Sequence, residues 1–163
     1  MYGVDFQDTF TPVARLSSIR AVIALATSED WELHQMDVKS VYLNSPIDTP
    51  VFMHLPPGYT QKGKVAKVKR GLYGLCQSGN LWHKTLSSAF NVLGLTHSAV
   101  DHGVFYSHND DQTTIVCTST DNFTITGSPS EWILRFKHDL ENHFKMTDLG
   151  DLAWILGIKV ECD

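Results

Sequence analysis

Positive charge is scarce in this chain of 163 residues: 13 lysines and arginines stand against 18 aspartates and glutamates, for a net charge of -5. A self-sufficient nucleic-acid binder gains most of its affinity by neutralising phosphates, so this balance confines any such contact to a local patch. Lys62, Lys64, Lys67, Lys69 and Arg70 form a basic cluster, for which a solvated charged hairpin is the competing reading. Cysteine is scarce too. Cys76, Cys117 and Cys162 show no metal or redox spacing, and their odd number argues against a disulfide framework and for a reducing intracellular compartment, cytosol or nucleus. No apolar run reaches the ~18 to 20 residues that a membrane span needs, and no signal-type leader is seen, so no membrane partner is expected.

Other absences narrow the chemistry. Among the eight histidines, His97, His102 and His108 are irregularly spaced, with no cysteine pair or glutamate-bearing helical motif beside them, which speaks against structural zinc. Gly71 and Gly74 belong to no phosphate-cradling sequence of the Walker or dinucleotide type. Repeats, low-complexity tracts and interdomain linkers are also missing.

What is present is a sequence with 42% hydrophobic residues, enough for one sizeable core and hence one domain over residues 1 to 163. Ile19, Val22, Ile23 and Ala26 fall at helical spacing within residues 17 to 27. Residues 31 to 38 then read as a strand with Asp37 near its end. An extended run over residues 51 to 55 stops at Pro56-Pro57-Gly58, and residues 64 to 72 are its expected hairpin partner. Trp82, Thr85, Leu86, Ala89, Phe90 and Leu93 make the clearest helical stripe, ended by Gly94. Strands are expected at 104 to 107, 114 to 119 and 123 to 126, with Asp121-Asn122 in the turn before the last. Ser128-Pro129-Ser130-Glu131 reads as a helix start, with Ser128 as cap and Pro129 as first helical residue, and Ile133, Phe136, Leu140 and Phe144 form that helix's buried stripe. A strand-like segment around Gly157 closes the chain. This order predicts an α+β domain, an antiparallel sheet with helices packed on one face.

Four segments share one further property. His34-Gln35-Met36-Asp37-Val38-Lys39-Ser40-Val41-Tyr42 places an acid at a strand end and an aromatic five residues later; Leu72-Tyr73-Gly74-Leu75-Cys76-Gln77-Ser78, Ser119-Thr120-Asp121-Asn122, and Asp148-Leu149-Gly150 with Trp154-Ile155-Leu156-Gly157-Ile158 follow. Together, from Gly3 to Val160, they resemble the copia-type (Ty1/copia) reverse transcriptases of LTR retrotransposon Pol polyproteins.

That resemblance implies a palm-like sheet and an RNA-directed DNA polymerase, a nucleotidyltransferase acting on an RNA or DNA template-primer and deoxynucleoside triphosphates with Mg²⁺ or Mn²⁺. Such chemistry uses two cations ~3.5 to 4 Å apart, held by carboxylate oxygens. By resemblance the catalytic positions are Asp37, Asp121 and Asn122, with Asp37 and Asp121 as metal ligands. Tyr42 would lie under the incoming sugar and exclude a 2'-hydroxyl, Tyr73 and Gln77 would pack near the nascent base pair, and Trp154, Leu156 and Gly157 match a primer-grip hairpin. Read without the resemblance, Asp37 and Asp121 are ordinary strand-end and turn aspartates.

The sequence also departs from the family pattern. Asn122 stands where the family has a second adjacent aspartate, Ser119-Thr120 replace an aromatic or histidine and a valine, Cys76 replaces a lysine, and Gly79-Asn80 replace proline and arginine. By the same resemblance, the lysine- and arginine-rich fingers strands are expected upstream of Gly3, and the thumb and ribonuclease H regions beyond Val160. The expectation is a degenerate site with weak metal binding and impaired or absent polymerisation. A non-catalytic interaction or nucleic-acid-binding module on the same scaffold is the alternative, and an exposed sheet edge offers a route to self-association.

Overall fold

The structure is a computed structural model and describes residues 11 to 59, 61 to 109, 111 to 155 and 157 to 161. Two compact units emerge, one of Thr11 with residues 40 to 85, the other of residues 12 to 39 with 86 to 161.

In the larger unit, strands β1 (Leu33–Val38), β4 (Thr96–His97), β5 (Val104–Asn109), β6 (Gln112–Ser119), β7 (Asn122–Ser128) and β8 (Met146–Asp151) form one sheet in the order β4-β5-β6-β7-β1-β8, with every described pairing antiparallel. The fold class is thus mixed α and β on an antiparallel sheet. β7 sits between β6 and β1, and its burial covers residues pointing both ways: Phe123 and Ile125 on one face, Thr124 and Thr126 on the other.

That two-sided burial corrects the expectation of helices on one face. Helix α1 (Leu16–Ser28) lays Ile19 and Val22 against Val104 and Cys117, whereas Trp132 of helix α3 (Ser130–His143) donates its indole N–H to Thr114 Oγ1 at 3.0 Å. Thr114 and Cys117 lie an odd number of residues apart on one strand, so they point to opposite faces. On the α3 face, Phe90, near the end of helix α2 (Ser78–Val92), packs edge-on against Phe105 and Phe123, with ring centroids 4.7 and 5.6 Å away. Such edge-to-face contacts contribute beyond the area they bury.

α1 lacks a side-chain cap of its own at Arg15, and Asp101 supplies one from far along the chain. Its Oδ2 accepts the Arg15 N–H at 2.8 Å and the Ser18 hydroxyl at 2.6 Å, while Oδ1 accepts the Gly103 N–H at 3.0 Å. Gly103 has to be glycine for this fit, because a Cβ there would come within 2.2 Å of the Ala14 nitrogen. Helix α3 begins one residue later than expected. Ser128 is held in the β6–β7 ladder opposite Thr113, which leaves Pro129 as the capping residue, and proline has no side-chain acceptor.

The smaller unit holds β2 (Pro46–Met53) paired with β3 (Ala66–Arg70), the hairpin expected from the two extended runs. Leu152 to Val160 resolves into a hairpin of β9 (Trp154–Ile155) and β10 (Ile158–Lys159) in the larger unit, with Gly157 at φ +80° in its turn. β8 was not foreseen as a strand. It carries Asp148, Leu149 and Gly150 on the sheet's edge, joined to β1 through an irregular register.

Candidate active site at the turn between β6 and β7

Thr120 and Asp121 connect the paired residues Ser119 and Asn122, a two-residue hairpin turn. Thr120 takes φ +52°, a conformation that its branched side chain adopts at a cost. Across the β1–β7 ladder, Asn122 is the direct partner of Asp37, and the Val38 N–H donates to the Asp121 carbonyl at 2.8 Å. The strand and the turn foreseen from the sequence therefore bring Asp37, Asp121 and Asn122 together.

The electrostatics follow from that proximity. Burial pushes the Asp37 carboxyl above its ordinary value of 3.8, the Asp121 charge pushes it further, and Lys39 pulls it partway back. Asn122 has both ends of its amide engaged: Gln35 Nε2 donates to its Oδ1 at 3.3 Å, and its Nδ2 donates to Asp121 Oδ1 at 3.2 Å. A cavity of about 130 Å³ adjoins them, lined by Gln35, Ser119, Asn122, Thr124 and Trp154 together with Ile19, Cys117 and Ile155. Burial pushes the Cys117 thiol up to about 12, with the Asp101 charge adding to it, so this cysteine stays protonated and unreactive near neutrality.

Hard divalent cations take oxygen donors, and Mg²⁺ characteristically uses one or two protein carboxylates with water and phosphate completing the shell. Asp37 and Asp121 are donors of that type. Among the described residues no three His, Cys, Asp or Glu side chains converge.

Of the other sequence-derived positions, Tyr42 and Tyr73 meet in the smaller unit with ring centroids 4.6 Å apart, Tyr73 largely exposed and Gln77 buried. Trp154 is exposed on β9, Gly157 lies in the β9–β10 turn, and Leu156 falls outside the described residues. His97 and His102 stack at 4.6 Å, whereas His108 pairs with Thr113. The basic cluster concentrates on the hairpin of the smaller unit: between residues 40 and 85 six lysines and arginines face a single acid, Asp48. Val68 is buried there while Lys67 and Lys69 are exposed, and Phe52, 60% exposed, is the direct partner of Lys67.

Sequence reasoning missed Gln35 and the cluster around Lys137. Gln35 stands two residues before Asp37 and so shares its face, a relationship that strand periodicity alone could have exposed. Lys137 hides on the buried side of α3, its Nζ 2.8 Å from Asp148 Oδ2 and 3.5 Å from His34 Nδ1. No local signal in the sequence marks that pairing.

Comparison with known proteins bears on the chain as a whole. The family described as "Reverse transcriptase (RNA-dependent DNA polymerase)" matches residues 1 to 163. A retrovirus-related Pol polyprotein from transposon TNT 1-94 of Nicotiana tabacum is 32% identical over 97% of the chain, and one from transposon RE1 of Arabidopsis thaliana is 28% identical over 98%. The chain spans 12% and 11% of those two polyproteins. A putative transposon Ty5-1 protein of Saccharomyces cerevisiae is 26% identical over 77% of the chain, which covers 42% of it. No solved structure matches the chain significantly. With its full length matched and its relatives drawn from Ty1/copia-type Pol polyproteins, the chain belongs to the reverse transcriptase (RNA-dependent DNA polymerase) family.

Proposed function

We propose that the chain is the palm-like part of a copia-type RNA-directed DNA polymerase in which Asp37 and Asp121 hold one divalent cation, Mg²⁺ or Mn²⁺, and Asn122 has cost the site its third charge. The observation that carries this reading is the cross-strand pairing of Asp37 with Asn122, which leaves Asp121, the residue before Asn122, close enough for its charge to act on the Asp37 carboxyl. A bound cation would supply charge neutralisation for a phosphate and an attacking hydroxyl. The chain's own contribution is to bring two carboxylate side chains to the same end of the β1–β7 ladder. Tyr42 under the sugar, Tyr73 and Gln77 near the base pair, and Trp154 with Gly157 at the primer are the further assignments that family membership supports.

Polymerisation is proposed to be impaired because the remaining charge serves one cation where the chemistry uses two. A primer-extension assay on the purified chain, with a primed RNA template, deoxynucleoside triphosphates and Mg²⁺ or Mn²⁺, tests this. The expected result is no processive synthesis. Template-dependent extension that disappears on Asp37→Ala would contradict the impairment while supporting the site.

A second reading, a non-catalytic nucleic-acid-binding module, is favoured by the charge on the β2–β3 hairpin. Lys67, Lys69 and Phe52 offer phosphate neutralisation beside a face for base stacking, the combination that holds single strands without sequence preference. Binding to single-stranded RNA should weaken steeply with salt, and Lys67→Gln with Lys69→Gln should lower the slope of log K against log salt by about one for each phosphate left without its lysine. Affinity independent of both salt and these lysines would remove this reading. Self-association is the weaker partner proposal at the β8 edge, where the exposed carboxylate of Asp151 opposes pairing with a second copy.

A further inference from the structure

An amide side chain has an accepting end and a donating end, and whichever neighbour takes one end decides where the other points. At Asn122, Gln35 takes the accepting end, since its Nε2 donates to Asn122 Oδ1 at 3.3 Å. The donating end is thereby turned to the acidic turn, where Asn122 Nδ2 donates to Asp121 Oδ1 at 3.2 Å. An N–H group cannot ligate a cation, whereas an amide oxygen can. Asn122 thus meets the turn with the wrong end for coordination, held so by Asp121 at its donating end and by Gln35 at its accepting end, and Gln35 is the partner that occupies the oxygen. The adjoining cavity of about 130 Å³, lined by both amides, gives Asn122 room to turn over once released.

We infer that Gln35 is a positioning residue: by engaging the Asn122 oxygen it withholds that oxygen from the site and limits a divalent cation to Asp37 and Asp121. The inference rests on the reading that these two aspartates take such a cation. It has a consequence opposite in sign to ordinary damage. Removing the Gln35 donor frees the Asn122 oxygen, adds a neutral ligand and tightens cation binding, whereas loosened packing would weaken it.

The test is a Mn²⁺ titration near pH 7, followed by the resonance signal of the free ion, on the wild-type chain, Asp37→Ala, Gln35→Met, Asn122→Ala and the Gln35→Met/Asn122→Ala double variant. Thermal unfolding of each checks the fold, and Gln35→Thr, whose side chain is too short to reach Asn122, replaces Gln35→Met if that variant does not fold. The expected result is about threefold or more tighter binding in Gln35→Met, with the gain gone in the Asn122→Ala background. Weaker or unchanged binding in a folded Gln35→Met variant, or a gain that persists without Asn122, would overturn the positioning role while Asp37-dependent binding kept the underlying site intact. Mn²⁺ binding that is absent, or indifferent to Asp37→Ala, would overturn both.

Discussion

Asp37 and Asn122 face each other as direct partners across the β1–β7 ladder, with Asp121 one residue from the second of them. Burial and the Asp121 charge hold the Asp37 carboxyl above 3.8, so the folded chain binds a proton there more tightly than the unfolded chain does. As pH rises above 3.8 the unfolded chain releases its proton first, and stability falls until Asp37 ionises in the folded state as well. Asp37→Asn should therefore raise Tm slightly at neutral pH, by about 1 to 2 °C, and leave it unchanged well below pH 3.8. Thermal scans of both chains at several pH values check this. A lower Tm for the variant at pH 7 would show that the two carboxylates do not burden each other.

The ion pair of Lys137 and Asp148 predicts an asymmetry. Lys137 is buried, whereas the Asp148 side chain is 44% exposed. Asp148→Ala strands an ammonium group out of water and should cost about 2 to 4 kcal/mol, while Lys137→Met replaces it with an apolar chain and leaves a carboxylate that water can reach, at about 1 kcal/mol or less. Denaturant unfolding of the two variants gives the comparison directly. Equal losses would mean that the lysine is not desolvated in the way its burial indicates.

Much of this framework was legible in the sequence because period and turn chemistry are local. The stripes Ile19-Val22-Ala26 and Ile133-Phe136-Leu140 are buried as read, and the Asp121 turn lies between two ladder strands because short β-rich runs flank it. What escaped was non-local. Met146–Asp151 shows no strand pattern of its own yet forms a strand because β1 offers it an open edge, and α1 takes its cap from Asp101, a residue no spacing rule connects to Arg15. The placement of α1 on the face opposite α3 also depends on tertiary packing, since two amphipathic helices look the same from sequence wherever they dock.

Asp101 gives the clearest acid-sensitive contact. Burial alone would raise its carboxyl, but the Ser18 hydroxyl and the N–H groups of Arg15 and Gly103, with the Arg15 charge, hold it below 3.8. A carboxyl depressed in the folded state contributes stability that is present above 3.8 and lost as pH falls through its folded value. Asp101→Ala should cost about 1 to 3 kcal/mol at pH 7, because it leaves the Arg15 and Gly103 donors without this acceptor. The gap between variant and wild type should narrow below pH 3.8. A gap that is independent of pH would assign the loss to packing.

The central claim is that Asp37 and residues 121 to 122 form one cation site that lacks a charge, and calorimetric titration with Mg²⁺ and Mn²⁺ of the wild-type chain, Asp37→Ala and Asn122→Asp tests it most directly. The account predicts weak binding by the wild-type chain, weaker or no binding by Asp37→Ala, and binding about tenfold tighter by Asn122→Asp, whose added carboxylate supplies the missing ligand. Equal affinities for all three chains would contradict it.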